Sequence, residues 1–182
     1  MIQSVNVNLD AVEAMLFFWQ STKDRQKVTE QFIYELTDMF GLKYAYDKDF
    51  NSESVRRTLS AIKNREVFTS INRQEGRFYN NNLWMLEDLN YTDMMVLPIK
   101  KLNLNFLVEK LNDSQDSKDF KELEVIFSPL HLDAYLIKNN KLIINFFMVR
   151  PSDINETVFL GETELLVFIE EKLRELMKKR PI

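Results

Sequence analysis

The chain has 182 residues, 45% hydrophobic and 29% charged, and its formal net charge of -4 gives no overall attraction to nucleic acid or anionic lipid. It contains no cysteine, which excludes disulfides, thiol nucleophiles and cysteine-ligated metal sites. Its three glycines lie far apart and it has one histidine, so a glycine-rich phosphate loop is excluded and any Ser-His-acid triad must use His131.

The first third of the chain predicts mostly helix. Apolar residues recur there at helical spacing, and polar residues that can cap a helix separate the stretches. Gly41 stands where the C-terminal cap of the second helix belongs. The predicted elements are a strand at 2–8, helices at about 10–20, 25–40 and 51–64, and a short strand at 42–46.

The middle of the chain, residues 65–92, is the least regular part of the sequence. A short helix is predicted near 83–89, and the apolar run 94–97 predicts a buried strand that Pro98 ends. A short helix at 104–111 and a polar loop at 112–118 follow.

The C-terminal third predicts three consecutive strands and a long helix. The strands are expected at 123–127, 131–138 and 141–149, and the helix at about 162–179. Asn139 and Asn140 form a two-residue hairpin loop, because asparagine tolerates the positive φ of a type I′ turn. This loop places Lys138 opposite Lys141. Both faces of the resulting sheet are largely apolar, so both should be covered.

These elements predict an α+β fold in which residues 1–182 form one domain. An antiparallel sheet with a C-terminal three-stranded meander is expected at its centre, covered by the long C-terminal helix and by the N-terminal helices. No stretch of the sequence resembles a known family closely enough to transfer functional residues.

The strongest candidate for a ligand site is the segment 65–84. Six basic residues and two acidic ones lie between Ser54 and Asn82, a local excess of positive charge. Arginine binds phosphate or carboxylate through two parallel hydrogen bonds, and aromatic rings can stack on a base. The candidate ligand-binding residues are Arg73, Arg77, Tyr79, Asn80 and Trp84. The alternative is a solvated surface turn in which Phe78 and Trp84 anchor the loop in the core.

His131 and Asp133 form a second candidate, a polar pair. Two residues apart on one predicted strand, they would share a face, and Asp133 could orient the imidazole. No third metal ligand can be assigned to this pair. The acidic stretch that begins at Asp47 lacks the glycine and the final glutamate of a calcium-binding loop, and the one that begins at Asp113 lacks the glycine and the helix that should follow. No metal site is therefore predicted.

An unusually dense apolar cluster lies near the N-terminus: Leu16, Phe17, Phe18 and Trp19. It predicts either part of the core or a surface for a homodimer or a protein partner. Asp10 and Glu13 interrupt the N-terminal apolar stretch, and no run approaches the roughly 18 apolar residues of a membrane span. We therefore expect a cytoplasmic protein without membrane partner or cofactor.

The absence of cysteine and of a glycine-rich loop, together with the single histidine, favours a non-catalytic binding or protein-interaction domain. The alternative is an anion- or nucleotide-binding protein, with or without catalysis, that uses the segment 65–84.

Overall fold

A computed structural model describes residues 1–131 and 133–179. The strands of these residues are β1 (Ser4–Asn8), β2 (Glu122–Ser128), β3 (Tyr135–Lys138), β4 (Lys141–Asn145), β5 (Val149–Pro151), β6 (Val158–Leu160) and β7 (Thr163–Glu164). The α-helices are α1 (Asp10–Lys23), α2 (Glu30–Thr37), α3 (Phe40–Lys43), α4 (Ser52–Asn64), α5 (Arg73–Glu87), α6 (Leu89–Lys100), α7 (Leu107–Asn112) and α8 (Leu165–Lys178).

The strands form two sheets, which confirms the α+β class. The larger sheet is mixed and has the order β1-β2-β4-β3, with β1, β2 and β4 parallel and β3 antiparallel to β4. The smaller sheet is antiparallel, with the order β5-β6-β7. A C-terminal meander followed by the long helix is therefore present, but it consists of β5–β7.

The predicted antiparallel pairing of 123–127 with 131–138 is wrong. β2 pairs in parallel with β4, and β3 lies on the far side of β4. A tight turn joins only antiparallel neighbours, so residues 128–130 cannot form a hairpin turn between these strands. The Asn145 side chain instead ties the connection to β4, accepting the Leu130 N–H at 3.2 Å and donating to the Asp133 carbonyl at 3.4 Å.

The predicted hairpin at Asn139 and Asn140 is confirmed. Lys138 lies opposite Lys141, and Asn139 has a φ of 55°. β4 ends at Asn145, earlier than predicted, because Phe146–Met148 form a 3-10 turn.

Both faces of the larger sheet are buried at its centre, as predicted. One face contributes Val125, Phe127 and Ile144 to the main core, which the apolar stripe of α8 also joins. The other face contributes Ile126 and Ile143 to a smaller apolar cluster. The segment around α3 covers this second face. That residues 1–182 form one domain stays a prediction.

The second predicted helix and the strand at 42–46 need correction. The helix ends at Thr37, and Gly41 lies inside α3 instead of capping the longer helix. A Cβ on Gly41 would lie 2.8 Å from the Ser128 Oγ and 3.2 Å from Ile126 Cγ2. Glycine is required here because α3 lies directly on β2.

The largest difference from the sequence prediction lies in residues 65–100. The segment expected to be irregular contains α5, a helix of 15 residues, and the strand expected at 94–97 is part of α6. Gly76 and three consecutive asparagines lower the helix propensity of α5, so burial of one face must stabilise it. Pro98 lies within α6, on a partly exposed turn.

Candidate interaction site

Helix α5 is fixed at its start by its own polar residues. The Asn72 side chain accepts the Glu75 N–H at 2.9 Å, and the Glu75 carboxylate accepts the Ile71 N–H at 2.9 Å. The two bonds satisfy one N–H in the first turn of the helix and one N–H just before its cap. Asn72 also donates to the Asp49 carbonyl at 2.6 Å, which attaches the helix to the loop before α4.

The inner face of α5 is anchored by buried side chains. Phe78 is fully buried, with its ring centroid 5.3 Å from that of Phe50. Asn82 is also fully buried and accepts a hydrogen bond of 2.9 Å from the Trp19 indole. Its own amide donates to the Phe78 carbonyl at 2.8 Å. Each polar group on this face therefore has a partner, as burial requires.

Four of the five candidate residues of the segment 65–84 share the outer face of α5. Arg73, Arg77, Asn80 and Trp84 are spaced by four, three and four residues, which aligns them along one side of a helix. All four are exposed, and the indole of Trp84 is 68% accessible to solvent. The sequence did not predict this alignment, because it assigned most of the segment to a loop.

Tyr79 has a different position. It points toward the segment before α5, where its ring stacks on Phe68 with 4.7 Å between centroids. Arg57 lies 5.5 Å from the centre of the Phe68 ring. Tyr79 therefore anchors the 66–71 segment. Of the two anchors named in the alternative interpretation, Phe78 is buried and Trp84 is exposed.

Ion pairs distinguish the two arginines of the outer face from three of their basic neighbours. Arg56 pairs with Glu53, Arg57 with the buried Glu75 at 3.3 Å, and Lys63 with Glu30 at 2.9 Å. Within residues 1–131 and 133–179, neither Arg73 nor Arg77 forms an ion pair. The positive charge of these two arginines is therefore available to a ligand.

A shallow depression lies beside the same two arginines. It has a volume of about 520 Å³ and is open to solvent. Its lining comprises Ser70, Asn72, Arg73, Gly76, Arg77, Asn80 and Asn81. Gly76 keeps the depression open because it has no side chain.

His131 lies in the interior, stacked on Phe50 with 3.7 Å between ring centroids. Its pKa is lowered to about 4, chiefly by burial; Asp47 opposes this shift and the charge of Arg77 adds to it. The His131 Nε2 lies 3.9 Å from an Asp47 carboxylate oxygen, too far for a hydrogen bond. At neutral pH this imidazole is uncharged and closed to external substrates.

Asp133 does not share the environment of His131. It is exposed, whereas His131 is buried, and both precede the first residue of β3. The expected common strand face is therefore wrong. The carboxylate beside the imidazole belongs to Asp47, which also accepts a 3.5 Å hydrogen bond from the Gln74 side chain on α5.

The N-terminal apolar cluster is divided between core and surface. Phe18 and Trp19 are fully buried, Leu16 is partly buried, and Phe17 is about half exposed with its ring edge against Phe32. Two of the four residues offered as a partner surface are thus inaccessible.

A second cleft lies at the carboxyl ends of the parallel strands β1 and β2, and sequence reasoning missed it. It has a volume of about 430 Å³ and lies between the start of α1 and α3. Asp10, Glu13 and Asp38 give it an acidic rim, and Ile126 lies at its floor. Only the parallel pairing, which no local pattern signalled, brings these residues together.

In the described part of the chain, no group of three or more potential metal-ligating side chains is assembled. The acidic loop at 47–51 uses its oxygens internally, since Asp47 accepts the N–H groups of Asp49 and Phe50 at 2.8 Å each. Asn51 caps α4.

No protein-family model matches the chain, and no curated protein or solved structure is significantly similar to it. Among the described residues, no helix has both the length and the apolar character needed to cross a membrane. The geometry of the site is therefore the basis for a functional proposal.

Proposed function

We propose that this protein is a non-catalytic interaction domain that binds an acidic segment of a partner protein through the outer face of α5. The observation that carries the proposal is the alignment of two unpaired arginines with an exposed tryptophan on one helix face. Arginine and tryptophan are enriched among the residues that contribute most to protein interfaces.

The charge distribution supports an acidic partner. Arg56, Arg57 and Lys63 are paired with acids of this chain, whereas Arg73, Arg77 and Arg65 form no ion pair with any described residue. A glutamate or aspartate of a partner would supply two-point hydrogen bonds to each guanidinium. The chain as a whole carries a net charge of -4, so the attraction is confined to this face.

The exposed indole supports a protein ligand with apolar residues beside its acids. Trp84 lies about two turns beyond Arg77, so a bound segment would contact the arginines with one part and the indole with another. Burial of an aromatic side chain contributes strongly to binding. Asn80, between Arg77 and Trp84, can form hydrogen bonds with peptide groups of the bound segment.

The non-catalytic character is supported by the position of His131. The only histidine of the chain is buried, and its pKa of about 4 keeps it neutral at physiological pH. A general acid or base needs contact with the substrate and a pKa near the working pH. We also propose a cytoplasmic location, which suits a chain without cysteine.

Fluorescence anisotropy with two labelled peptides tests the proposal. One peptide repeats Glu-Glu-Leu-Trp and the other repeats Lys-Lys-Leu-Trp. We expect binding of the acidic peptide only, and at least about tenfold weaker binding by the Arg73→Ala/Arg77→Ala variant. The matched control Lys118→Ala/Lys121→Ala removes two exposed positive charges elsewhere and should bind normally. Equal binding by both double variants would refute the assignment of this face.

A second candidate function is binding of a small phosphorylated ligand, favoured by the depression beside Gly76. Two arginines, a serine hydroxyl and the amides of Asn80 and Asn81 line it and suit phosphate oxygens, whereas the Asn72 amide is already bonded within the chain. Titration with ATP and with inorganic phosphate, read as competition against the acidic peptide, separates the two functions. Gly76→Ala should weaken the nucleotide more than the peptide, because the added methyl group narrows the depression.

A further inference from the structure

An apolar groove beside α6 shares no residue with the outer face of α5. It lies between α6 and the turn that joins β5 to β6, and its volume is about 360 Å³. Met94, Leu97 and Pro98 form one wall, and Pro151 and Val158 belong to the other. Met94 and Leu97 are 44% and 55% exposed. Water therefore covers an apolar stripe that burial would stabilise.

An apolar knob stands next to this groove. Ile154, at the turn between β5 and β6, is 94% exposed. It borders a smaller depression that shares Pro151 and Ser152 with the groove. Groove and knob thus belong to one continuous surface, which we call the α6–turn surface.

The two charged residues that line the groove itself have opposite signs and lie on its two walls. Lys101 extends the exposed stripe of α6, four residues after Leu97, and Glu156 lies on the turn. Both are exposed, and neither forms an ion pair with any residue in the described ranges. A partner must therefore offer one acid and one base in the complementary arrangement.

A second copy of the same chain meets that requirement. In a two-fold symmetric contact each residue i faces j of the partner, while j faces i. We propose that the α6–turn surface is the interface of a homodimer, in which Lys101 of each copy pairs with Glu156 of the other. The apolar stripes then cover each other, and the Ile154 knobs enter the facing grooves.

The proposal goes beyond the function proposed above and does not depend on it, because it uses no residue of the outer face of α5. It also places the homodimer expected from the sequence on a different surface, because Phe18 and Trp19 of the N-terminal cluster are buried in the core.

Analytical ultracentrifugation of the full chain over a range of concentrations tests the dimer. The wild type should dimerise reversibly, and Lys101→Glu or Glu156→Lys should each weaken dimerisation at least about tenfold, since two like-charge contacts form per dimer. The double variant Lys101→Glu/Glu156→Lys should dimerise like the wild type, because the reversed pairs are again complementary.

The matched control is Lys100→Glu, which makes the same charge change one residue earlier, outside the groove lining. It should dimerise normally. Circular dichroism melts of each variant will show that the fold is kept, as expected for exposed positions. A wild type that remains monomeric at millimolar concentration overturns the proposal, and so does a double variant that fails to recover.

Discussion

The two faces of helix α5 contain similar residue types in opposite situations. The inner face has an asparagine, a glutamate and a phenylalanine, all buried, and its polar groups are hydrogen-bonded within the chain. The outer face has an asparagine, two arginines and a tryptophan, all exposed, with the arginines unpaired among the described residues. Residue type alone therefore does not show whether a side chain anchors the helix or is available to a ligand. What distinguishes the two cases is whether the side chain has a bonding partner within the chain.

Substitution of the aromatic residues should give the largest difference in unfolding free energy between the two faces of α5. Phe78→Ala removes a fully buried ring from contact with Phe50 and should cost roughly 3–5 kcal/mol of unfolding free energy. Trp84→Ala should change it by less than about 0.5 kcal/mol, since that side chain is exposed. Urea denaturation followed by circular dichroism measures both. Similar losses would show that the outer face also supports the fold.

His131, under the start of α5, should make stability depend on pH. Its pKa falls from 6.5 in the unfolded chain to about 4 in the fold. Between these values the unfolded chain binds a proton that the folded chain does not, so unfolding free energy decreases as pH falls from 6.5 to about 4. The total loss should be roughly 3 kcal/mol.

The comparison that isolates this effect is with His131→Phe, which keeps a ring against Phe50 but cannot titrate. Urea midpoints of both proteins at pH 7.0, 5.5 and 4.5 should diverge as the solution becomes more acidic, with the wild type losing more. The carboxylates titrate in both proteins and cancel. Parallel curves would contradict a buried, neutral His131.

Asn82 and Asn80 allow the closest comparison of the inner and outer faces of α5, because the residue type is the same. Asn82→Ala leaves the buried Trp19 indole without its acceptor and should cost roughly 1–3 kcal/mol. Asn80→Ala, on the exposed face, should be nearly neutral. In a Trp84→Phe background, the fluorescence emission of Trp19 should shift in the Asn82→Ala variant and not in the Asn80→Ala variant. That result would assign the loss of unfolding free energy to the hydrogen bond of the Trp19 indole.

The smallest expected effect on stability comes from the two outer arginines. Arg73→Ala and Arg77→Ala should each alter the free energy of unfolding by no more than about 0.5 kcal/mol. Arg57→Ala, in contrast, leaves the buried Glu75 without its cation and should destabilise measurably. Thermal melts of the three variants rank them, and equal losses would remove the distinction between paired and unpaired arginines.

The candidate site was only partly predictable. Arg73, Arg77, Asn80 and Trp84 were selected by residue type, but their common face depends on a helix that Gly76 and the asparagine run concealed. One local signal could have revealed it. Asn72 followed three residues later by Glu75 is typical of a helix start. In the structure Asn72 accepts the Glu75 N–H, and the Glu75 carboxylate accepts the N–H of Ile71, one residue before the cap.

The sequence by itself determined the features that depend on neighbouring residues. The turn at Asn139 and Asn140, the register of β3 on β4 and the stripe of α8 follow from local φ preferences and from periodicity. Tertiary structure decided the parallel order β1-β2-β4, the close approach of α3 at Gly41 and the helical state of residues 73–87. These depend on contacts between residues far apart in the chain, where packing outweighs local preference.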